Sequence, residues 1–131
     1  YRAAIDANGR EWQTVEYASE LSSSAGRAAM EQLLARESRP DAVFAVSDTL
    51  AAGAMRAIAQ AGLRIPEDIA VVGFDGTELA EMVSPQLTTI EQPSREIGRR
   101  AVDLLLSRID NPDAPAERAM MDWRYISRAS T

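Results

Sequence analysis

Two continuous apolar runs dominate the hydrophobic pattern of this chain, and each predicts a buried strand. The first covers residues 42–46 and the second covers residues 69–74. An uninterrupted apolar run of this length is typical of a strand covered on both faces of a parallel sheet. Residues 86–91 predict a further extended segment, and residues 13–18 and about 120–127 predict two more short strands.

Segments with helical spacing separate these strands. Helices are predicted over residues 24–37, 49–61, 77–83 and 94–109, after a first helix that ends near residue 8. The helix over residues 94–109 is amphipathic. Its apolar face consists of Ile97, Ala101, Leu104, Leu105 and Ile109. Strands that alternate with helices predict βαβ units, and therefore an α/β fold with a parallel sheet flanked by helices.

The composition is that of an ordinary globular domain, and it removes several kinds of chemistry. The chain has 131 residues, of which 46% are hydrophobic and 26% charged. Histidine and cysteine are absent, and so is lysine, which removes the commonest general base and any Ser-Lys or cysteine nucleophile. The carboxylates are plentiful, but their spacing matches no recognisable metal or glycosidase arrangement. We therefore predict no catalytic residue, no metal ligand, no cofactor and no enzymatic activity. The net charge of −6 lacks the basic excess of a nucleic-acid surface.

The ends of the chain and its lack of long apolar runs bear on its context. It begins at Tyr1 on what the pattern predicts to be a helix already under way, so we expect a fragment of a longer protein. No apolar run approaches the roughly 20 residues of a membrane span. The absence of cysteine is compatible with a cytoplasmic protein.

Polar side chains stand where the predicted strands end, which is where open α/β sheets bind ligands. Asp75 follows the second apolar strand, and its carboxylate could accept hydrogen bonds from ligand hydroxyls or could cap the next helix. Ser47 could offer a hydroxyl to a ligand, while Asp48 is predicted to cap the helix that follows. Gln92 could bind a ligand through its amide or could satisfy backbone groups where the chain crosses between lobes.

Three large side chains could form an apolar wall beside such a ligand. They are Tyr17, Leu21 and Trp123. Sugars stack their carbon faces on walls of this kind, and the simpler alternative for each residue is packing in the hydrophobic core.

Four segments of the chain carry a family resemblance. They are residues 39–57, which begin RPDAVFAVSD, residues 62–75 (GLRIPEDIAVVGFD), residues 85–93 (PQLTTIEQP) and residues 98–101 (GRRA). At this spacing they resemble the lactose-repressor (LacI/GalR) family of bacterial transcription regulators. The resemblance covers essentially the whole chain and is strongest over residues 39–106.

The resemblance implies a periplasmic-binding-protein-like effector domain, in which two lobes joined by three crossings close on a small ligand. Residues 1–91 and about 122–131 would then belong to the C-terminal lobe, and about 92–121 to the N-terminal lobe. Most of the N-terminal lobe would lie outside this chain, together with a helix-turn-helix headpiece that contacts operator DNA. Without that lobe, we expect the helix over residues 94–109 to pack on a partner copy, unless the chain is a clipped form of the protein.

Particular residues take positions that have roles in the family. The family's ligand contacts map onto Asp75, Ser47, Gln92 and Leu21. Leu21 stands where an aromatic residue often stacks on the ligand, and Ser47 stands where asparagine is common. The family's dimer surface maps onto Leu50 and Met82.

These observations predict the ligand-sensing and dimerising portion of a cytoplasmic transcription regulator. The effector would be a small molecule, with a sugar as the family's default, and the partners would be a second copy of the chain and, through the headpiece, DNA. The alternative is a secreted sugar-binding protein of a transport system, which shares the fold.

Overall fold

The computed structural model describes residues 2–9 and 15–131 of the chain. Apart from a strand predicted over residues 13–18, the helices and strands follow one another in the predicted order. They are α1 (Arg2–Ala7), α2 (Ser23–Leu34), β1 (Ala42–Phe44), α3 (Asp48–Gln60), β2 (Ala70–Asp75), α4 (Leu79–Met82), β3 (Thr88–Glu91), α5 (Ser94–Asp110) and β4 (Arg124–Ile126).

The prediction of a strand over residues 13–18 is wrong for residues 15–18. Residues 13 and 14 lie outside the described residues, and residues 15–18 adopt no regular structure. A strand needs a neighbour to satisfy its backbone groups. Residues 15–18 do not pair with β1, which forms one edge of the sheet.

The four strands form one sheet in the order β1-β2-β3-β4. The first three are parallel, as the α/β fold class predicts, whereas β4 runs antiparallel to β3. The chain leaves β3 at its carboxyl end for α5 and returns to that same end, because Arg124 at the start of β4 lies opposite Glu91 at the end of β3. Because β4 begins beside the end of β3, it runs in the opposite direction.

The hydrophobic core lies where α2, α3 and β2 meet. Met30 of α2, Ile58 of α3 and Val71 of β2 are almost completely buried. Two glycines allow the helices to approach closely: a Cβ atom on Gly53 would lie 2.0 Å from the backbone oxygen of Ser23. A Cβ atom on Gly26 would similarly meet the backbone of α3.

The C-terminal tail closes the end of the sheet at which β2 and β3 begin. Ser130 is fully buried there, and its hydroxyl donates a hydrogen bond of 2.6 Å to the carbonyl oxygen of Val71. The backbone N–H of Thr88 donates to the same hydroxyl at 2.8 Å. The side chain of Thr88 in turn accepts a hydrogen bond from the backbone N–H of Arg128 at 2.9 Å. We call Thr88, Arg128 and Ser130 the tail clasp.

Helix α5 differs from the other long helices because none of its residues is buried. Its apolar side chains remain largely in solvent, including Leu105 at 59% and Ile109 at 62% exposure. An exposed apolar stripe of this kind marks a surface that another structure covers. Within the described residues, no helix is long and apolar enough to cross a membrane.

Candidate functional site

A hydrogen-bonded pair of polar residues joins the carboxyl ends of β2 and β3. The side-chain amide of Gln92 donates a hydrogen bond of 3.0 Å to a carboxylate oxygen of Asp75. The backbone N–H of Gln92 donates to the carbonyl oxygen of Asp75 at 3.3 Å. Both residues are half-buried. The structure therefore brings together two of the four side chains that the sequence predicts as ligand contacts.

Asp75 has a backbone conformation that residues other than glycine rarely adopt. Its φ angle is 112°, in the region where a side chain costs free energy, and such positions concentrate at functional sites. Gly76 follows it with a φ of 71°, and a Cβ atom there would collide with Glu91. The turn after β2 is thus packed closely against the end of β3. This packing fixes the position of the Asp75 side chain.

The surroundings of Asp75 raise the pKa of its carboxyl group above the ordinary value. Burial is the largest cause, because a desolvated carboxylate loses contact with water. The hydrogen bond from Gln92 opposes this shift, and the negative charge of Asp48 adds to it. Gln92 therefore stabilises the charged form, which is the form that accepts hydrogen bonds from a ligand.

The predicted cap of α3 is wrong by one residue. Ser47, rather than Asp48, is the N-cap: its backbone is extended, and its hydroxyl accepts a hydrogen bond of 3.2 Å from the N–H of Leu50. Ser47 is only 6% exposed. Because the serine hydroxyl already satisfies the free N–H of the first turn, the carboxylate of Asp48 is left for other donors.

The carboxylate of Asp48 accepts three hydrogen bonds from residues outside its own helix. One oxygen accepts from the backbone N–H of Thr77 at 2.6 Å and from its hydroxyl at 2.9 Å. The other accepts from the hydroxyl of Thr89 at 2.6 Å. Asp48 is fully buried, and Gly73 makes room for it, since a Cβ atom there would lie 2.4 Å from a carboxylate oxygen of Asp48.

Sequence reasoning missed this network of Asp48, Thr77 and Thr89. The position of Asp48 at the start of a helix indicated a cap, and nothing in the local sequence distinguishes a cap from a residue that bonds distant strands. A usable signal was Gly73 inside an otherwise apolar strand, since a glycine in a strand often marks the close approach of another group.

The three residues of the predicted apolar wall are exposed rather than packed in the core. Tyr17 is 82% exposed, Leu21 72% and Trp123 64%. The alternative interpretation, packing in the core, is therefore wrong for all three. Of these residues, Trp123 lines a cleft near Gln92, whereas Leu21 is not among the residues that line it.

A cleft of about 300 Å³ opens between the ends of β2 and β3 and the first turn of α5. Its lining is mostly apolar and comprises Phe74, Ile90, Gln92, Pro93, Ile97, Met121 and Trp123. Phe74 is held edge-to-face against Phe44, with ring centroids 6.3 Å apart. Gln92 is the one polar residue in this lining, and Asp75 adjoins the cleft through its hydrogen bond with Gln92.

The two predicted dimer contacts differ in exposure. Met82 on α4 is 75% exposed, whereas Leu50 on α3 is 7% exposed. The backbone of Leu50 faces Gly26 of α2, so this chain itself already covers most of the residue. Among the described residues, no group of three or more acidic side chains is placed to hold a metal ion.

Comparisons with known proteins give a consistent result. The family profile described as "Periplasmic binding protein-like domain" matches residues 1–131. The chain is 50% identical over 101 residues to the ribose operon repressor of Haemophilus influenzae, a match that covers 77% of this chain and 30% of that protein. It is 49% identical over 102 residues to the transcriptional repressor PurR of Vibrio atlanticus, covering 78% of this chain and 30% of that protein.

A solved structure with a bound sugar has the same fold. It is a LacI family transcriptional regulator from Enterococcus faecium with bound ribose, 32% identical to this chain, with a TM-score of 0.82. The match covers 99% of this chain and 48% of that one. This chain therefore spans about a third to a half of the length of the proteins that it matches.

Proposed function

The chain belongs to the lactose-repressor (LacI/GalR) family of periplasmic-binding-protein-like domains, and from this premise we propose that it is the ligand-sensing portion of a longer transcription regulator. The observation that carries the proposal is the Asp75–Gln92 pair at the carboxyl edge of the sheet, beside an apolar cleft. The match to repressors favours a regulator over a secreted transport protein or an enzyme. A regulator must reach DNA, so we expect the protein to work in the cytoplasm.

We propose that the ligand is a small sugar bound by acceptors on one side and apolar surface on the other. A charged Asp75 accepts hydrogen bonds from sugar hydroxyls, and the amide of Gln92 can both hold that carboxylate and contact the ligand. Trp123 and Phe74 border the cleft and offer faces for the carbon side of a sugar ring. Ribose is the first candidate, because relatives of this chain are named as ribose operon repressors and a neighbour has ribose bound.

Ser47 and Leu21 have smaller parts in this proposal. The hydroxyl of Ser47 accepts a hydrogen bond from Leu50, and a hydroxyl in that position can still donate its own hydrogen to a ligand. Leu21 is exposed and becomes a ligand contact only if the second lobe brings a sugar against it. Leucine offers apolar surface there without an aromatic face.

The exposed stripe of α5 supports the proposed division into lobes. In the full-length protein, residues 92–121 would belong to the N-terminal lobe, whose remaining chain would bury the apolar side chains of α5. Residues 1–91 and 122–131 would form the C-terminal lobe. A sugar bound at Asp75 and Gln92 would lie at the crossing between lobes, so that lobe closure buries it.

We propose that lobe closure changes a homodimer that presents two DNA-binding headpieces. A ligand shifts such an equilibrium only by its difference in affinity for the two states, and paired half-sites make DNA affinity sensitive to headpiece spacing. Met82 is exposed on α4 and is the stronger candidate for a dimer contact. The burial of Leu50 limits it to a supporting position beneath that surface.

A melting-temperature screen of the full-length protein tests this function. The panel contains sugars, sugar phosphates and nucleobases, and every hit is repeated on Asp75→Ala. A ligand at 100 times its Kd adds about 2.7 kcal/mol to the free energy of unfolding. We expect ribose or a related sugar to raise the melting temperature of the wild type clearly more than that of Asp75→Ala. A sugar that stabilises both proteins equally would place the ligand elsewhere.

A further inference from the structure

We infer that Asp48 is the positioning residue of the ligand site, fixing the Asp75–Gln92 pair from behind without touching the ligand. This inference rests on the proposed function for its binding readout. Asp48 is fully buried, and it is not among the residues to which the family resemblance assigns a ligand or dimer contact.

The first step is that Asp48 holds both sides of the pair. Its contact with Thr77 lies two residues beyond Asp75, and its contact with Thr89 lies three residues before Gln92. One side chain on α3 therefore ties the turn after β2 to the strand that leads to Gln92. Two of the three donor–acceptor distances, from the Thr77 N–H and from the Thr89 hydroxyl, are 2.6 Å, which is short, as expected for hydrogen bonds to a charged acceptor. The third, from the Thr77 hydroxyl, is 2.9 Å.

The second step is that the turn needs such a restraint. Asp75 has a positive φ angle, and a strained backbone conformation persists only where its surroundings fix it. The hydrogen bond from the N–H of Thr77 to Asp48 anchors this turn two residues after the strained position. Without that acceptor the turn can relax, and the Asp75 carboxylate then no longer holds the position that the site requires.

The third step is that the surrounding chain accommodates Asp48 specifically. Gly73 of β2 leaves space that any other residue would fill. Asp48 is the first residue of α3, where the positive end of the helix dipole stabilises a negative charge. The buried charge is thus compensated by the helix and three hydrogen bonds, and it stays available as an acceptor.

Adjacent threonines supply a matched test. Thr88 and Thr89 are both fully buried, but their hydroxyls have different partners. The hydroxyl of Thr89 donates to Asp48, whereas the hydroxyl of Thr88 accepts from the backbone N–H of Arg128 within the tail clasp. We would measure ribose affinity and hydrogen exchange of residues 74–78 in full-length Asp48→Asn, Thr89→Val, Thr89→Ser and Thr88→Val proteins. Thr89→Ser keeps the hydroxyl and serves as the rescue.

We expect Thr89→Val and Asp48→Asn to weaken ribose binding about tenfold, because the apparent affinity falls in proportion to the population of the binding-competent arrangement, here to about a tenth. They should also speed exchange in residues 74–78. Thr89→Ser should restore both properties, and Thr88→Val should leave both unchanged although it destabilises the fold. Equal effects of the two valine substitutions, or none from either, would overturn the inference.

The exchange measurement separates this inference from the proposed function. If the wild type binds neither ribose nor another sugar, the proposed ligand class fails, and exchange alone then decides the role of Asp48. Faster exchange at residues 74–78 in Asp48→Asn and not in Thr88→Val would still support positioning. Unchanged exchange in Asp48→Asn would overturn it whatever the protein binds.

Discussion

Gln92 donates a hydrogen bond to Asp75 across the ends of two neighbouring parallel strands, 3.0 Å from nitrogen to oxygen. This bond couples the last residue of β2 to the first residue after β3, where the chain departs for α5. Any movement of α5 relative to the sheet must therefore act on the residues that precede it in the chain, beginning with this pair. In the function that we propose, the ligand contact and the crossing between lobes would thus form one structural unit.

Asp75→Asn should stabilise the protein without ligand at neutral pH. The folded state raises the pKa of this carboxyl, chiefly through burial, so its ionisation opposes folding. The wild type is then most stable with respect to this group below the unfolded pKa, and it loses that stability as pH rises through the folded value. Urea denaturation at several pH values should show an advantage of Asp75→Asn at pH 7 that closes on acidification. A less stable Asp75→Asn at pH 7 would contradict this account.

Asp68 should show the opposite dependence on pH. Its hydrogen bonds with Arg64 lower its pKa to about 2, so the folded state favours the charged form. Its contribution to stability is present above the unfolded pKa and is lost as pH falls through about 2. An NMR titration of the Asp68 carboxyl should have its midpoint near this value, and Arg64→Gln should move it upward. A midpoint unaffected by Arg64→Gln would mean that the side-chain hydrogen bond does not form.

Gly53→Ala should destabilise the chain by about 2 kcal/mol or more, because the new methyl group would overlap the backbone of α2. Gly98→Ala is the matched control, since a Cβ atom at Gly98 on α5 meets nothing within 4 Å. In a helix with free space this substitution should stabilise by about 0.5–1 kcal/mol. Urea denaturation of the two variants of this chain should give effects of opposite sign. Destabilisation of similar size by both would show that α5 is also closely packed.

The chain by itself should self-associate through the exposed face of α5. Leu105→Glu should reduce this association, as measured by sedimentation, because it places a charge in the apolar stripe. Arg99→Glu changes the charge of the same helix outside the stripe and serves as the control. In the full-length protein, where we expect the N-terminal lobe to cover α5, Leu105→Glu should instead lower stability. A monomeric wild-type chain that binds no hydrophobic dye would contradict this picture.

Much of the fold could be predicted because it depends on local patterns. The apolar runs over residues 42–46 and 69–74 predicted the places of β1 and β2 without knowledge of the rest of the chain. The predicted burial on both faces is wrong for β1, which lies at the edge of the sheet with Phe44 45% exposed. The direction of β4 could not be predicted. Arg124 pairs with Glu91 only after α5 and a long loop, and no hydrophobic pattern in that segment indicates where the chain returns. Residues 15–18 have strand-like composition without a neighbouring strand, and composition alone cannot report the missing partner.

The candidate site divides in the same way. The closeness of Asp75 and Gln92 could be predicted because Asp75 ends β2 and Gln92 directly follows β3, and neighbouring parallel strands end at one edge of the sheet. The role of Asp48 could not, since its partners Thr77 and Thr89 are 29 and 41 residues away along the chain. The burial of Leu50 likewise depends on Gly26 in another helix, which no pattern within α3 reveals.

The most direct test of the central claim is calorimetric titration of ribose into the full-length wild type, Asp75→Ala and Asp68→Ala. Asp68 is an acidic residue in the connection after α3, away from the carboxyl edge of the sheet. We predict that Asp75→Ala weakens binding about 10- to 100-fold, as the loss of hydrogen bonds to a charged acceptor requires, and that Asp68→Ala binds as the wild type does. Equal affinities for the wild type and Asp75→Ala would contradict the account.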